Sequence, residues 1–357
     1  MKKITVGILY GGKSAEHEIS LLSAKNIIEA IDKEKFNPIP IKIEKNGDWE
    51  IGLVRQPCWF SLKSRNFSAS SLQNCCFIRK LFGKLKFPNK SIPVDVVFPI
   101  LHGPFGEDGT VQGLLKIANI PFVGSGVLGS AVGMDKDVMK RLLRDAGLPI
   151  GKFLVKKIHE PPLSFSDVET ALGCPVFIKP ANMVSSVGIS RVRNEAEYEA
   201  ALKEAFKYDK KIVIEEFIEG REIECAVLGN ENPIASIPGE IIPAHDFYSY
   251  DAKYIDNKGA ALEIPAKLDD KIIKQVQELS IKVFQTLCCE GLSRVDFFLK
   301  EDGDKNFALI INEINTMPGF TAISMYPKLW EASIIPGEKT TGISYTDLIT
   351  RLIELAL

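Results

Sequence analysis

The sequence predicts an α/β protein whose first half is built on a parallel sheet and whose second half mixes antiparallel strands with helices. In the first half, β-branched apolar runs such as KITVGILY and PVDVVFPIL alternate with segments of helical periodicity. This alternation is typical of parallel α/β domains. In the second half, the apolar runs LSRVDFFL and ALIINEIN are separated by a short polar turn, which favours a hairpin.

Composition excludes several classes of function. The 357 residues carry 44 basic and 46 acidic side chains, for a net charge of −2, which gives no support to nucleic acid as a primary partner. No apolar stretch approaches the roughly 20 residues that cross a membrane. The seven cysteines form no CxxC pair, so we expect reduced thiols in a cytoplasmic protein rather than a zinc site.

Two strand–loop–helix units organise the N-terminal part. The strand at residues 3–10 precedes the loop GGKSAEHEIS, in which we expect Ser14 to cap the following helix. The strand PVDVVFPIL ends at the loop HGPFGEDG, and the helix TVQGLLKIANI follows. Loops after the carboxyl ends of parallel strands carry ligands, so Glu16 and His102 are candidate site residues. For His102 alone, a packing or hydrogen-bonding role is the alternative.

Between these units lies a segment without acidic residues. From Ile51 to Val94 it carries eight basic side chains. We interpret it as a solvated insertion of strands and turns, and a docking surface for an anionic partner is the alternative.

The domain organisation follows from a glycine-rich linker and a change of pattern. VGSGVLGSAVGM precedes a helix expected from Lys136 to Ala146, which indicates a boundary near residues 126–134. Further along the chain, GEIIPAHDFYSYDAKYIDNKGA is a long, aromatic-rich loop. We interpret it as an ordered lid over a substrate.

The stretch ALIINEINTMPGFT places Glu313 and Asn315 on one face of an otherwise apolar strand. If the preceding turn is centred just after Asp304, antiparallel pairing sets Asp296 opposite Glu313. Arg294 then lies opposite Asn315. A turn centre one residue earlier would keep the same faces and make these pairs diagonal. Two carboxylates at this distance repel unless a cation or a shared proton separates them, and hard oxygen donors suit Mg²⁺. The alternative is a structural arginine–carboxylate network on a solvated sheet face.

Other residues point to phosphate. Lys179 ends the strand VFIKP, and the loop NMVSSVGIS after it has N–H groups that could surround an oxyanion. Lys136 opens a helix. Each lysine alone would be an ordinary surface residue, but beside a magnesium site they favour a nucleoside triphosphate. No GxxxxGK[ST] motif is present and no GxGxxG follows the first strand, which disfavours P-loop and dinucleotide sites.

Glu215 and Glu222 lie around the strand and turn IVIEEFIEGREIE. Their carboxylates could accept hydrogen bonds from ribose hydroxyls or an adenine amino group. An acidic hairpin without a ligand is the alternative.

Six motifs, in order and spacing, resemble the D-alanine–D-alanine ligases, which are ATP-grasp carboxylate–amine ligases. The motifs are LYGGKSAEHEISLLSA, HGPFGEDGTVQGLL, KPAN–SSVGIS, FYSYDAKY, RVDFFL and NEINTMPGFT. The resemblance covers nearly the whole chain. It implies a Rossmann-like, substrate-binding domain at 1–128, a central ATP-grasp domain at 129–225, and a C-terminal ATP-grasp and catalytic domain with a lid loop at 226–357.

The resemblance also implies an activity. ATP would phosphorylate one D-alanine, and the amine of a second would attack the acyl phosphate through a tetrahedral intermediate, releasing ADP and phosphate. The product would serve peptidoglycan synthesis, cell-wall biogenesis and cell shape. ATP and two Mg²⁺ ions, with Mn²⁺ as a substitute, would be the cofactors of a cytoplasmic homodimer. A relative that uses D-serine or D-lactate as second substrate is the alternative, although the pattern FYxYxAKY, which ends at Tyr254, favours an amine nucleophile.

For the nucleotide and its metals, the resemblance implies roles for eight residues. The metal ligands would be Asp296, Glu313 and Asn315. The ATP phosphates would contact Lys136 and Lys179, and the nucleoside would contact Glu215, Ile218 and Glu222.

For the two amino acids, the resemblance implies roles for nine further positions. The first D-alanine would be held by Glu16, which would be hydrogen-bonded to Ser185 and Tyr254, with His102 nearby. The oxyanion would be stabilised by Arg294 and the Gly319 N–H. The second D-alanine would contact Lys253, Ser324 and Met325. One departure from the family pattern is Val184, where a glycine is common, and we expect it to stiffen the phosphate loop.

Overall fold

The computed structural model describes residues 2–51, 94–185, 187–243, 260–302, 306–334 and 342–357. The described residues form three sheets and nine helices. None of these helices is both long enough and apolar enough to span a bilayer. Numbered in chain order, the helices are α1 (His17–Ala30), α2 (Thr110–Ile117), α3 (Val127–Met134), α4 (Lys136–Asp145), α5 (Phe165–Leu172), α6 (Glu195–Ala205), α7 (Asp270–Thr286), α8 (Met325–Ala332) and α9 (Tyr345–Leu355).

The N-terminal sheet has the predicted parallel core. Its order is β3-β2-β1-β4, and β2 and β4 both run parallel to the central β1. Among the described strands of this sheet, the short β3 alone is antiparallel. β1 and β4 are buried along most of their length, which explains why they read as continuous apolar runs. The strands are β1 (Ile4–Gly11), β2 (Phe36–Ile43), β3 (Trp49–Ile51) and β4 (Val96–Ile100).

The central sheet is antiparallel, with the order β5-β8-β6-β7. α5 and α6 pack on it through a core that includes Val168, Tyr198 and Ile214. Its inner strands bring Lys179 and Glu215 to one edge of a cleft. The strands are β5 (Phe153–Lys157), β6 (Val176–Pro180), β7 (Ser190–Val192) and β8 (Lys211–Glu216).

The C-terminal sheet has six strands, in the order β12-β11-β9-β13-β14, with β10 paired to β9. α7 packs on one face through Val276, Val283 and Phe284. This architecture of a parallel sheet followed by two antiparallel α+β layers confirms the predicted fold class. The strands are β9 (Arg221–Gly229), β10 (Ile234–Ala235), β11 (Gly239–Pro243), β12 (Ala260–Glu263), β13 (Gly291–Asp302) and β14 (Asn306–Asn315).

Two predicted boundaries need revision. The division after residue 225 falls inside β9, a strand that belongs entirely to the six-stranded sheet. A strand is not shared between two domains, so we propose the boundary at residues 217–220. The predicted long loop also starts too early, because β11 and β12 pair at its two ends. Residues 244–259, with Lys253 and Tyr254, lie outside the described residues, as does the basic segment at 52–93.

Ser14 does not cap α1 as predicted. The helix begins at His17, after the N-cap residue Glu16. The Ser14 hydroxyl instead donates a hydrogen bond of 2.6 Å to the His102 carbonyl oxygen. The two predicted ligand loops of the parallel sheet are therefore joined directly, and both lie at the same edge, as the topology requires.

Candidate active site

A cleft of about 280 Å³ lies between the central sheet and the six-stranded sheet. Charged side chains from both sheets and from α4 line it, together with apolar side chains. A concave site that combines apolar surface with convergent charged groups is typical of ligand and cofactor pockets. Its lining includes Lys136, Lys140, Lys179, Glu215, Glu222, Glu313, Phe177, Ile218 and Phe298.

Glu215 is the centre of a buried ion cluster in this cleft. Its Oε2 lies 2.6 Å from Lys179 Nζ and its Oε1 lies 3.0 Å from Lys140 Nζ. Burial alone would raise the pKa of Glu215, but the two ammonium groups outweigh burial and lower it to about 2. The pKa of Lys179 is raised, because Glu215 and Glu313 outweigh the opposing effect of burial. The cluster therefore keeps Lys179 charged and fixed at the cleft wall.

Glu215→Gln should lower the free energy of unfolding at pH 7 by roughly 3–5 kcal/mol, because two buried ammonium groups lose their counter-charge. The folded-state pKa lies below the usual value, so the contribution of Glu215 is complete above about pH 4.5. It is lost as the pH falls towards 2. We therefore expect the difference in urea midpoint between wild type and variant to narrow over this range.

The matched control is Glu216→Gln, the adjacent residue, whose carboxylate accepts a hydrogen bond from the Lys152 N–H. At pH 7, Glu216→Gln should lower the free energy of unfolding by less than Glu215→Gln does. A constant difference between wild type and Glu215→Gln from pH 7 down to pH 3 would contradict the prediction.

Lys136 connects the loop NMVSSVGIS, called the phosphate loop below, to Glu313 of the β13–β14 hairpin. It is the first residue of α4, which Asp135 caps by accepting a hydrogen bond from the Val138 N–H. Lys136 Nζ donates to the Met183 carbonyl oxygen at 2.6 Å and lies 3.7 Å from Glu313 Oε2. The side chain is buried, so its charge is directed into the cleft rather than into solvent.

The hairpin of β13 and β14 has the pairing predicted for its polar residues. Asp296 pairs with Glu313, and Arg294 pairs with Asn315. The Arg294 guanidinium donates to both Asp296 oxygens, at 2.7 and 2.8 Å. Asn315 Nδ2 donates to Asp296 Oδ2 at 3.0 Å. The structure thus brings all four residues together on one face of the sheet.

Glu224 is a member of this cluster that the sequence analysis missed. It pairs with Asp296 across β9 and β13, and its Oε2 lies 2.9 Å from Arg294 Nε. The available signal was its alternation with Glu222 in the strand REIECAVLG. Arg294 thus contacts two carboxylates, those of Asp296 and Glu224, while Glu313 lies opposite Asp296 and 3.7 Å from Lys136 Nζ. Three carboxylates on one sheet face, beside two cationic side chains, leave an excess of negative charge that favours a bound cation.

The donor chemistry of this face fits magnesium. Asp296 and Glu313 supply carboxylate oxygens and Asn315 an amide oxygen, which are the hard donors that Mg²⁺ prefers when it also binds phosphate. Among the described residues, no group of three or more His, Cys, Asp or Glu side chains forms a preorganised metal centre. A metal here would therefore take its remaining ligands from phosphate and water.

The loop GGKSAEHEIS, which follows β1, meets the phosphate loop at Glu16. The Ser185 hydroxyl donates a hydrogen bond to Glu16 Oε1, and the Glu16 side chain is buried. Ser185 has a positive φ of 54°, an uncommon conformation for a residue with a side chain. Gly103 passes so close that a Cβ there would lie 3.2 Å from Glu16 Oε2 and 3.1 Å from Val184 Cγ2. Three chain segments thus converge on one carboxylate.

The His102 ring is buried inside the protein. Its Nδ1 lies 3.1 Å from the Met317 carbonyl oxygen, and its Nε2 lies 3.5 Å from Ser23 Oγ. Burial lowers its pKa to about 4, against the opposing effect of the Met317 carbonyl. The ring is therefore neutral near pH 7, and it is hydrogen-bonded to the backbone at Met317. These contacts fit a packing and hydrogen-bonding role, the alternative that the sequence offered for His102.

Glu107, in the same HGPFGEDG loop, was not singled out from the sequence. Its Oε2 accepts a hydrogen bond of 2.6 Å from the Gly103 N–H, and its Oε1 accepts one of 3.2 Å from the Met317 N–H. Burial, with the nearby charge of Glu16, raises its pKa to about 8. The available signal was the position of Glu107 in a predicted ligand loop, where an acidic side chain that is buried needs hydrogen-bond partners.

Gly319 and Ser324 lie against each other at the start of α8. The Ser324 hydroxyl oxygen accepts a hydrogen bond of 2.9 Å from the Thr321 N–H. A Cβ at Gly319 would lie 2.8 Å from that oxygen. The Met325 side chain is buried in the core beside Phe320, so only its backbone could contact a ligand.

Gly319→Ala should lower the free energy of unfolding by roughly 1–3 kcal/mol, because the new methyl group overlaps the Ser324 hydroxyl. The double variant Gly319→Ala/Ser324→Ala should recover part of that loss, as measured by urea unfolding. Additive losses in the two single variants would contradict the predicted overlap.

Comparison with known proteins identifies the family. A model described as the C-terminus of D-ala D-ala ligase matches residues 142–354, and its N-terminal counterpart matches residues 5–125. The D-alanine–D-alanine ligase of Oceanobacillus iheyensis is 50% identical over 100% of this chain and 96% of its own. The D-alanine–D-alanine ligase of Shouchella clausii is 52% identical over 100% of this chain and 95% of its own. The chain belongs to the D-alanine–D-alanine ligase family.

Solved structures of D-alanine–D-alanine ligases and related enzymes have the same fold. The ligase from Coxiella burnetii is 37% identical and superimposes with a TM-score of 0.83, over 100% of this chain and 94% of the other. The VanG D-Ala:D-Ser ligase from Enterococcus faecalis is 34% identical with a TM-score of 0.82, over 100% of both chains. The resemblance carried by the six motifs is confirmed, and so is the assignment of the chain as an ATP-dependent ligase.

As a member of the D-alanine–D-alanine ligase family, the chain assembles its predicted site from all three sheets. Four groups of contacts bring predicted residues together: Glu16 with Ser185, Lys136 with Glu313, Lys179 with Glu215, and Arg294 with Asp296 and Asn315. Ile218 and Glu222 line the same cleft. The individual roles of these residues stay predictions.

Proposed function

We propose that this protein joins two D-alanine molecules to D-alanyl-D-alanine, with conversion of ATP to ADP and phosphate. The observation that carries the proposal is the hairpin face of Arg294, Asp296, Glu313 and Asn315, which lies beside the buried Lys136. An all-oxygen donor set next to a fixed ammonium group and a guanidinium is suited to a transferring phosphoryl group. The family membership supports the same activity.

The nucleotide would lie in the 280 Å³ cleft. Lys136 and Lys179 would neutralise its phosphates, and the Glu215 backbone and Ile218 would border the adenine. Glu222 would accept hydrogen bonds from the ribose. Because the Glu215 carboxylate is already engaged by two lysines, its side chain would mainly fix Lys179 rather than contact the base.

Asp296, Glu313 and Asn315 would hold two Mg²⁺ ions, for which Mn²⁺ is a possible substitute. The ions would supply charge neutralisation at the phosphates. The residues of this chain would bind and orient the nucleotide. Lys136, held by the Met183 carbonyl oxygen, would keep the phosphate loop closed over the γ-phosphate.

The first D-alanine would bind with its ammonium group on Glu16, which Ser185 orients. One of its carboxylate oxygens would attack the γ-phosphorus, and ADP would leave. Tyr254 of the lid loop would be hydrogen-bonded to Glu16. The amine of the second D-alanine, held by Ser324, the Met325 backbone and Lys253, would then attack the carbonyl carbon. Arg294 and the Gly319 N–H would stabilise the resulting oxyanion, and phosphate would leave as the intermediate collapses.

The direct test is phosphate release with purified protein, ATP and Mg²⁺. We expect release only when D-alanine is also present, with one phosphate per dipeptide formed. L-alanine at the same concentration is the control. Equal rates with L-alanine, or no turnover with D-alanine, would overturn the proposed function.

A second candidate is ligation of D-alanine to D-serine or D-lactate. The observation that favours it is the similarity to the VanG D-Ala:D-Ser ligase over the whole chain. Competition of D-alanine, D-serine and D-lactate as second substrate at pH 7 separates the two candidates by dipeptide or depsipeptide analysis. We expect D-alanyl-D-alanine as the main product.

The protein's proposed setting is the cytoplasm, where the dipeptide would enter peptidoglycan synthesis, cell-wall biogenesis and the maintenance of cell shape. We also propose a homodimer and three domains, at 1–128, from 129 to the turn at 217–220, and from there to 357. Sedimentation at several protein concentrations would test the homodimer.

A further inference from the structure

The backbone that carries Gly319 is held at both ends by side chains from the N-terminal part of the chain. This backbone, Met317–Phe320, follows β14 and belongs to the C-terminal part. We call it the oxyanion segment, a name that rests on the proposed function. Four of its polar backbone atoms are hydrogen-bonded to side chains that lie more than 200 residues away in sequence.

Met317 is clamped by the HGPFGEDG loop. Glu107 Oε1 accepts a hydrogen bond of 3.2 Å from the Met317 N–H, and His102 Nδ1 donates one of 3.1 Å to the Met317 carbonyl oxygen. The second Glu107 oxygen accepts from the Gly103 N–H. One buried carboxyl group therefore ties the loop to the segment, and its two oxygens hold two chain segments at a fixed distance.

Phe320 is clamped by α1. Ser23 Oγ accepts a hydrogen bond of 3.1 Å from the Phe320 N–H, and Asn26 Nδ2 donates one of 3.0 Å to the Phe320 carbonyl oxygen. Tyr345 of α9 donates a second bond to the same oxygen, at 2.7 Å. Ser23 is fully buried and the Phe320 ring is in the core, so water does not compete for the Ser23 bond. The Asn26 and Tyr345 bonds are partly buried.

Gly319 lies between the two clamps. Pro318 has no N–H group, and the described part of the structure offers the Gly319 N–H no acceptor. The Gly319 N–H is thus the backbone donor of the oxyanion segment that remains available. A donor contributes to catalysis only when it points at the place where the oxyanion forms, and a displacement of about 1 Å can cost roughly 10²-fold in rate.

We propose that Glu107, Ser23 and Asn26 are positioning residues that fix the direction of the Gly319 N–H, so that the N-terminal part of the chain sets the geometry of the oxyanion donor. None of the three needs to contact a substrate for this role. Their loss should weaken binding of the transition state more than binding of ATP or D-alanine.

The experiment compares two buried serines of α1. Ser23→Ala removes the Phe320 contact. Ser20→Ala, one turn earlier, removes a hydroxyl that bridges the Gly11 N–H and the Ile100 carbonyl oxygen and does not reach the oxyanion segment. We expect Ser23→Ala to lower kcat roughly 10–10²-fold with KM for ATP within about twofold. Ser20→Ala should lower the melting temperature to a similar extent but keep kcat within about twofold.

A second readout is the affinity of a dipeptide phosphinate, which mimics the tetrahedral adduct. In Ser23→Ala and Glu107→Gln it should fall by the same factor as kcat/KM, because both measure transition-state binding. ADP affinity should stay constant. If Glu107→Gln does not fold, Ser23→Ala decides the matter alone.

The inference is overturned if Ser23→Ala and Ser20→Ala show the same kcat, or if phosphinate affinity is unchanged in Ser23→Ala while the wild type is active with D-alanine. A wild type without D-alanine-dependent phosphate release would instead overturn the proposed function, and the inference would fall with it. The two failures are therefore distinguishable in one set of assays.

Discussion

Arg294→Ala should lower kcat roughly 10²–10³-fold, the range observed when a single oxyanion-stabilising donor is removed. The guanidinium is held by both oxygens of Asp296 and by Glu224, so it reaches the reaction already oriented. Its loss also leaves the Asp296 and Glu224 carboxylates without the guanidinium that they contact. Phosphate release under saturating ATP and D-alanine measures the effect, and ADP binding by calorimetry should stay within a few-fold of wild type.

The same sheet offers a matched control. Arg221, on β9, makes a comparable bidentate contact with Glu240 and a further one with Glu301, outside the cleft. Arg221→Ala should lower the melting temperature but retain kcat within about twofold. Equal losses of kcat in the two variants would mean that Arg294 acts only through the stability of the sheet, and the oxyanion role would be wrong.

Glu313→Gln should raise the Mg²⁺ concentration needed for half-maximal activity at least 10–100-fold, the range seen when even an outer-shell partner of a metal ligand is lost. It removes the carboxylate that faces both Asp296 and Lys136. A readout independent of turnover is Mn²⁺ binding to the ADP complex, followed by electron paramagnetic resonance. We expect a matching loss of Mn²⁺ affinity.

Glu301→Gln is the control on the same hairpin, because its carboxylate pairs with Arg221 at the far end. Its Mn²⁺ affinity should equal that of wild type. Unchanged Mn²⁺ binding in Glu313→Gln would contradict the metal assignment and favour the structural arginine–carboxylate network.

The residues that sequence reasoning missed share a physical property. Glu224, Glu107, Ser23 and Asn26 act through partners that lie far away in the chain. Periodicity indicates which face of an element a residue occupies, but it does not indicate what packs against that face. His102 illustrates the same limit. The motif singled it out, yet only the packed structure shows its ring against the Met317 carbonyl oxygen.

The hairpin of β13 and β14 shows which features follow from the residue pattern and which depend on packing. Alternation correctly predicted that Glu313 and Asn315 share a face, and the pairs Asp296–Glu313 and Arg294–Asn315 are confirmed. The assumed turn centre, however, is wrong. Asp302 pairs with Asn306 and Phe297 with Ile311, which centres the turn on residue 304 itself.

From that turn, a regular ladder would pair Asp296 with Asn312 and direct Glu313 to the opposite face. A β-bulge between Asp296 and Phe297 shifts the register, and Asn312 is the additional residue. The sequence by itself therefore determined the family, the parallel and antiparallel halves and the chemical types at the site, because these follow from local pattern and motif. Only the tertiary structure decided the bulge that gives the hairpin its register, the place of Glu224 and the distant side chains that hold the Gly319 backbone, because a bulge and a contact between distant segments depend on packing that no local pattern encodes.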